Sequence, residues 1–278
     1  MTVLPAERRG LNGHLRLVCD VDRSGHSFLR EQSFCVPFHL SKSFQDNGVL
    51  VVNVVNPTAG FFRGDVTRSD VRVEAGARLL LTNPSATRVH NTQGGWSDTT
   101  QEFSVRAKGW LEVLPELFIP QQGARHRQRT RIEVELASEL IYLEMLAPGR
   151  VASGEIFAFE ELDWQTEISL GDRLIVREKF VLSPKNKSVR ALGRFSVHPY
   201  VATFFVITDR LDEKSRCWSG IDSLHGTGLW IGSSRLVAGG WVIKMLASDS
   251  SRLREAVSTV REKLHRAASW PLPLARKL

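Results

Sequence analysis

Four carboxylates sit beside turns or apolar runs along the chain: Asp65, Glu112, Glu144 and Glu155. A pair of such groups in a cleft does acid–base work, and as oxygen donors they hold divalent cations. The commoner role for any one of them is a turn hydrogen bond or a solvated edge. The eight histidines, at positions 14, 26, 39, 90, 126, 198, 225 and 265, include no H-x-H, H-x-x-H or H-E-x-x-H pair. The three cysteines, Cys19, Cys35 and Cys217, include no C-x-x-C. A zinc or nickel site built from local ligand spacing is therefore absent. There is no Walker lysine loop, no dinucleotide-type glycine fingerprint and no nucleophile elbow. An odd cysteine count without pairing also argues against a disulfide framework and fits a reducing cytosol.

Arg125, Arg127, Arg129 and Arg131 recur at period two, with His126, Gln128 and Thr130 on the opposite face. Such a row tracks phosphates, or it protects a sheet edge from aggregation. No aromatics are interleaved to stack bases. The formal charge of +7 over 278 residues permits an acidic partner without requiring one. Nucleic-acid binding is thus the weaker reading, and a carboxylate-cleft hydrolase or lyase is a third.

The elements that carry these residues read as strands. Leu50 to Val55 is rich in β-branched residues, and the segments around Leu79–Leu81 and Val71–Ala77 follow it, separated by Pro and Gly. This arrangement mounts two polar loops, at 56–65 and 82–90, on rigid strands. Further strands are expected at Gly13–Val21, Ser27–Pro37, Gln101–Ala107, Trp110–Glu116, Arg125–Leu136, Phe157–Thr166, Arg173–Leu182, Val189–Val197 and Tyr200–Thr208. Glu139–Leu146 reads equally as strand or helical turn. Glycines at 232 and 239–240 punctuate the region before Leu246. The period changes at the end: Leu253, Val257, Val260 and Leu264 recur at helical spacing after capping candidates Asp249–Ser251, until Trp270–Pro271. This gives an amphipathic helix at about 249–270 whose default is to pack on the sheet. The first residues lack a signal-peptide pattern, and no apolar run is long enough to span a bilayer. A cytoplasmic protein is expected. The sequon Asn186-Lys187-Ser188 has no meaning there.

Several stretches, in order, resemble the urease accessory protein family UreD, called UreH in some organisms. Asn56–Asp65, with Gly60 and Gly64, is similar to the family's Pro-Gly-Gly segment ending in Gly-Asp. Thr82-Asn83-Pro84-Ser85-Ala86-Thr87-Arg88 is similar to its Thr-x-Pro-x-Ala-Thr-(Lys/Arg) segment. Leu111–Glu116, with Pro115, is similar to Leu-Glu-Trp-Leu-Pro. Arg129–Arg131 with Glu144, then Gly149-Arg150 and Gly154-Glu155, is similar to the Gly-Arg…Gly-Glu region. The resemblance covers about Gly13 to Gly193. Thr58, Ala59 and Arg63 depart from the family's glycines, and Val113 from its tryptophan. Bulk at the first three restricts a turn wherever positive φ is needed.

The resemblance implies a single domain over 1–278, mainly β, an elongated β-helix-like stack of sheets with a small helical element near the C-terminus. It implies a non-enzymatic, chaperone-like urease maturation factor. Such a factor assembles with UreF- and UreG-type proteins, the latter a GTPase, on urease apoprotein, with a homodimer within the complex as one arrangement. No cofactor is tightly bound; nickel is in transit through a water-filled passage. In that frame Asp65, Glu112, Glu144 and Glu155 are passage ligands or polar relays. Thr87, Arg88 and Arg150 hold loop geometry, while turn architecture alone is the favoured role for the glycines and threonines.

Overall fold

The structure, a computed structural model, describes residues 10–185 and 197–274. The expected strand at 189–197 and the sequon at 186–188 lie outside the described residues, apart from Val197. The strands in chain order are β1 (Asn12–Val21), β2 (Ser27–Phe34), β3 (His39–Leu40), β4 (Phe44–Asp46), β5 (Val49–Val55), β6 (Val66–Val73), β7 (Arg78–Thr82), β8 (Thr87–Val89) and β9 (Ser97–Val105). They continue as β10 (Trp110–Leu114), β11 (Phe118–Pro120), β12 (Arg125–Val134), β13 (Glu139–Leu146), β14 (Glu161–Leu170), β15 (Arg173–Leu182), β16 (Tyr200–Ile207), β17 (Leu229–Arg235) and β18 (Trp241–Ala247). Two helices follow β16 and β18: α1 (Arg216–Asp222) and α2 (Ser250–Ala267).

The chain winds as a solenoid. From β5 to β14 the longer strands alternate between two sheets. One has the order β15-β14-β12-β9-β6-β1-β2, and the other the order β17-β18-β16-β13-β10-β7-β5-β3. Within each sheet the coils stack in parallel, as in β6–β9–β12–β14 and β5–β7–β10–β13. The short β8 and β11, with the Phe61–Val89 bridge, form a narrow third stack. Antiparallel hairpins close both ends, β1–β2 and β14–β15 on one sheet and β13–β16–β18–β17 on the other. The mainly β, stacked architecture is as the resemblance implies.

Burial shows three layers. One core, including Leu17, Val71, Phe103, Ile132, Leu140 and Phe205, fills the space between the two sheets. A second, including Trp110, Ile141, Phe204, Leu253, Val257, Val260 and Leu264, joins the outer face of the second sheet to the helices. The helical stripe read from the sequence is therefore the face α2 buries on the sheet. Asp249 caps the helix by accepting a hydrogen bond from the Arg252 amide at 2.8 Å.

Several expectations change. Glu139–Leu146 is a strand, fixed between β10 and β16. Residues 157–160 are loop, with Phe157 at positive φ, so β14 begins only at Glu161. Asp209 to Ser223, without a periodic apolar face to identify it, contains the short α1. Gly232 does not interrupt β17, which pairs through it with Lys244. The arginine row does not lie on a sheet edge: β12 is hydrogen-bonded on both sides, to β9 and β14.

Candidate functional site

The two halves of the interlayer differ in chemistry. On the inner face of the first sheet, the three central strands β6, β9 and β12 begin polar and end apolar. Thr67 and Ser69 precede Val71 and Val73 on β6; Ser97, Thr99 and Gln101 precede Phe103 and Val105 on β9. His126, Gln128 and Thr130 precede Ile132 and Val134 on β12. Because the strands are parallel and in register (Thr67 beside Thr99, Thr99 beside Gln128, Gln101 beside Thr130), the polar halves line up side by side. Opposite them stand the C-terminal ends of β7, β10 and β13, with Leu81, Val113, Tyr142 and Glu144, and the loops at 82–87 and 115–116. Between these walls lies a cavity of about 170 Å³ whose lining is mostly apolar, with Phe61, Phe103, Val113 and Trp164 among the residues that surround the hydroxyl, amide and carboxyl groups.

The cavity's polar groups bond to one another across strands. Gln101 Oε1 accepts from Thr130 Oγ1 at 3.1 Å, Tyr142 Oη at 3.3 Å and Gln128 Nε2 at 3.4 Å. The Thr67 and Thr99 hydroxyls are 2.9 Å apart. Glu144 reaches from β13 on the second sheet to β14 on the first: its Oε1 accepts from Trp164 Nε1 at 2.9 Å and Thr166 Oγ1 at 2.5 Å. Burial pushes the Glu144 carboxyl above the usual carboxylate range, against the lowering effect of those hydrogen bonds. Burial also raises the Tyr142 phenol well above its ordinary value.

His126 sits at the end of this polar row, stacked on Phe61 and tilted against Phe118. Its Nδ1 is 2.8 Å from Ser97 Oγ, and its Nε2 has no hydrogen-bond partner. Burial pushes the imidazole down to about 3, so the ring stays neutral.

The other three carboxylates lie elsewhere. Asp65 is buried in the turn before β6, its two oxygens accepting from the Leu11 and Phe62 amides, both at 2.8 Å. Glu112 points from β10 into the helix layer. Arg261 donates to it from Nε at 2.6 Å and Nη2 at 2.8 Å, and His265 Nε2 is 3.2 Å away. Burial alone would raise the Glu112 carboxyl, but Arg261 and His265 outweigh it and the net shift is downward. Glu155 pairs with Arg150, which holds its carboxyl below the usual range, and accepts from the Gln122 amide at 3.1 Å.

Among the loop residues, Thr82, Ser85, Thr87 and Pro115 line the cavity, and Thr82 Oγ1 donates to Leu114 O at 2.7 Å. Arg88 serves through its backbone: its carbonyl accepts from the Phe61 amide, and a Cβ on Gly60 (φ +137°) would stand 2.4 Å from that oxygen. Gly149 (φ +139°) is similarly confined: a Cβ there would stand 2.6 Å from Glu155 O. Gly64 and Gly154 take positive φ in turns clear of the cavity, and Arg150 closes the second of these turns onto Glu155. Thr58, Ala59 and Arg63 are not in the left-handed region, so the departures from glycine there cost the turn nothing. Val113 lines the cavity wall.

The hydroxyls and amides of β6, β9 and β12 were not identified as site residues from the sequence. The signal was the polar face His126–Gln128–Thr130, read opposite the arginines but not as an interior face. The arginines point outward and pair with acids: Arg125 with Glu160 and Glu161, Arg127 with Asp98, Arg129 with Asp163 and Arg131 with Glu167. Arg127 also lies 3.9 Å over the Trp96 ring. Neutralised in this way, the row is a poor phosphate track.

A family model described as the UreD urease accessory protein matches residues 11–276. The chain belongs to the UreD urease accessory protein family. The UreD protein of Opitutus terrae is 39% identical over 92% of this chain and 94% of its own length. That of Acetivibrio thermocellus is 29% identical over 87% and 93%, and the UreH protein of Helicobacter pylori 25% identical over 91% and 93%. The UreD match thus spans the solenoid, the cavity and α2 together. Among the described residues no group of three or more His, Cys, Asp or Glu side chains is placed to hold a metal ion. No described helix is long and apolar enough to cross a membrane.

Proposed function

We propose that this UreD-family chain is a non-catalytic, chaperone-like factor of urease maturation in the cytoplasm. It assembles with UreF- and UreG-type proteins on urease apoprotein, and its polar interlayer carries nickel toward the urease active site. The observation that carries this reading is the aligned polar half of the solenoid interior, with Glu144 on its cavity wall. Hydroxyl, amide and carboxyl oxygens exchange a hydrated divalent ion quickly, whereas a closed His/Cys cage would keep it. Thr82, Ser85, Thr87 and Pro115 shape the loops over that cavity. Asp65, Glu112 and Glu155, with Gly60, Gly64, Arg88, Gly149, Arg150 and Gly154, hold the coils that form it.

Co-expression of the tagged chain with the UreF- and UreG-type proteins and urease of the same organism tests the assembly. The expected result is co-purification of all partners, and loss of urease activity and nickel content on deletion of this gene. Undiminished urease in the deletion strain would overturn the reading.

A further inference from the structure

The interlayer cavity also has the size and lining of a site for a small organic molecule. Its volume is about 170 Å³, and a cavity of about 150 Å³ lined by Leu, Ile and Phe holds benzene. Phe61, Phe103 and Trp164 give it an aromatic wall. No lysine, arginine or histidine lines it, and the Glu116 carboxylate that does is taken by Arg254. An anion therefore meets no cation there, whereas an apolar ring recovers wall contacts that water cannot make. Ser85 is exposed and Phe38, Asn56 and Ala86 are half-buried, which gives the cavity a way in from solvent.

One hydroxyl in the wall is only half used. Thr67 Oγ1 lies 3.5 Å from Asp98 O and 2.9 Å from Thr99 Oγ1. With Thr67 donating to that carbonyl, Thr99 donates to Thr67. Among the described residues no further donor reaches Thr99 Oγ1, which is buried on the cavity wall with its lone pairs open. We propose that the cavity binds a small uncharged phenol, with its ring against the aromatic wall and its hydroxyl donating to Thr99 Oγ1. Val113, on the opposite sheet, makes the room: the resembled Leu-Glu-Trp-Leu-Pro segment carries an indole at this position, and valine leaves that volume open. An occupant blocks the space through which the proposed passage runs. The binding itself does not rest on that reading, because it is measured without nickel.

The test is fluorine-19 NMR of 4-fluorophenol and of fluorobenzene, each titrated with the full chain. Broadening of the 4-fluorophenol line is expected, with a dissociation constant of about 1 mM or below for so few heavy atoms. Fluorobenzene, which lacks the hydroxyl, should bind about tenfold more weakly. Thr99→Val keeps the shape of the wall and should bring 4-fluorophenol down to the affinity of fluorobenzene. Thr99→Phe and Val113→Trp, which fill the cavity from opposite sheets, should each abolish both. Circular dichroism verifies that each variant is folded. No broadening with the folded wild type, or broadening that persists in either folded filling variant, overturns the proposal. A preference for 4-fluorophenol that survives in Thr99→Val overturns the role of the threonine hydroxyl.

Discussion

Glu112 and Glu144 are both carboxylates on central strands of the second sheet, yet their surroundings drive them apart. Glu112 is ion-paired with Arg261 across 149 residues of chain. Removing one partner of a buried pair strands the other, so Arg261→Ala should cost about 3–5 kcal/mol in denaturant unfolding. Because the folded-state value of Glu112 is depressed, its stabilisation is full above the unfolded value near 4.5 and is lost as the pH falls through the lower folded value. His126 acts on the acid side as well, by a different route. Its folded value is lowered from 6.5 to about 3, so the unfolded chain takes up a proton that the folded one refuses as the pH drops below 6.5. We expect the unfolding midpoint to fall between pH 6.5 and 4.5, and more shallowly in His126→Leu. An unchanged slope in that variant would mean the ring is not buried neutral.

At the scale of the element, turns and strand halves explain what sequence reading reached. Gly60 has no room for a Cβ, so Gly60→Ala should destabilise by more than about 1 kcal/mol, whereas Ala59→Gly should bring no gain beyond its effect on the unfolded chain. Chemical denaturation of the two variants checks the contrast. The α2 stripe was legible because burial on a sheet selects apolar residues at helical spacing, and Leu253→Ala or Leu264→Ala should cost about 2–5 kcal/mol. The strands were legible where their inner faces are apolar. Expectation placed strands from Val71 and Gln101, but the structure starts them at Val66 and Ser97. The missed halves carry Thr67, Ser69 and Thr99, on the cavity wall, and Ser97, which meets His126. Alternation marks a strand only when inside means apolar; here inside is polar, and the pattern disappears where the site begins. Glu144 was named from its motif, but its bond to Thr166 depends on the stacking of two sheets, which no local pattern encodes.

Over the whole molecule, the solenoid turns three successive polar-then-apolar strands into an interior that carries polar side chains on one wall at one end and is apolar at the other. The apolar half and the α2 layer bury the two larger cores, and a smaller cluster around Phe61, Phe118 and Trp164 closes the polar end. In the proposed function, nickel reaches urease through this polar half. It is tested most directly by filling the cavity without altering the surface that partners meet. Thr99→Phe places a phenyl ring among Thr67, Gln101 and Gln128. The decisive measurement is the nickel content and activity of urease matured with that variant, after co-purification shows that the accessory complex still assembles. The expected result is an intact complex and urease largely without nickel. An intact complex that loads urease with its full nickel complement would contradict it.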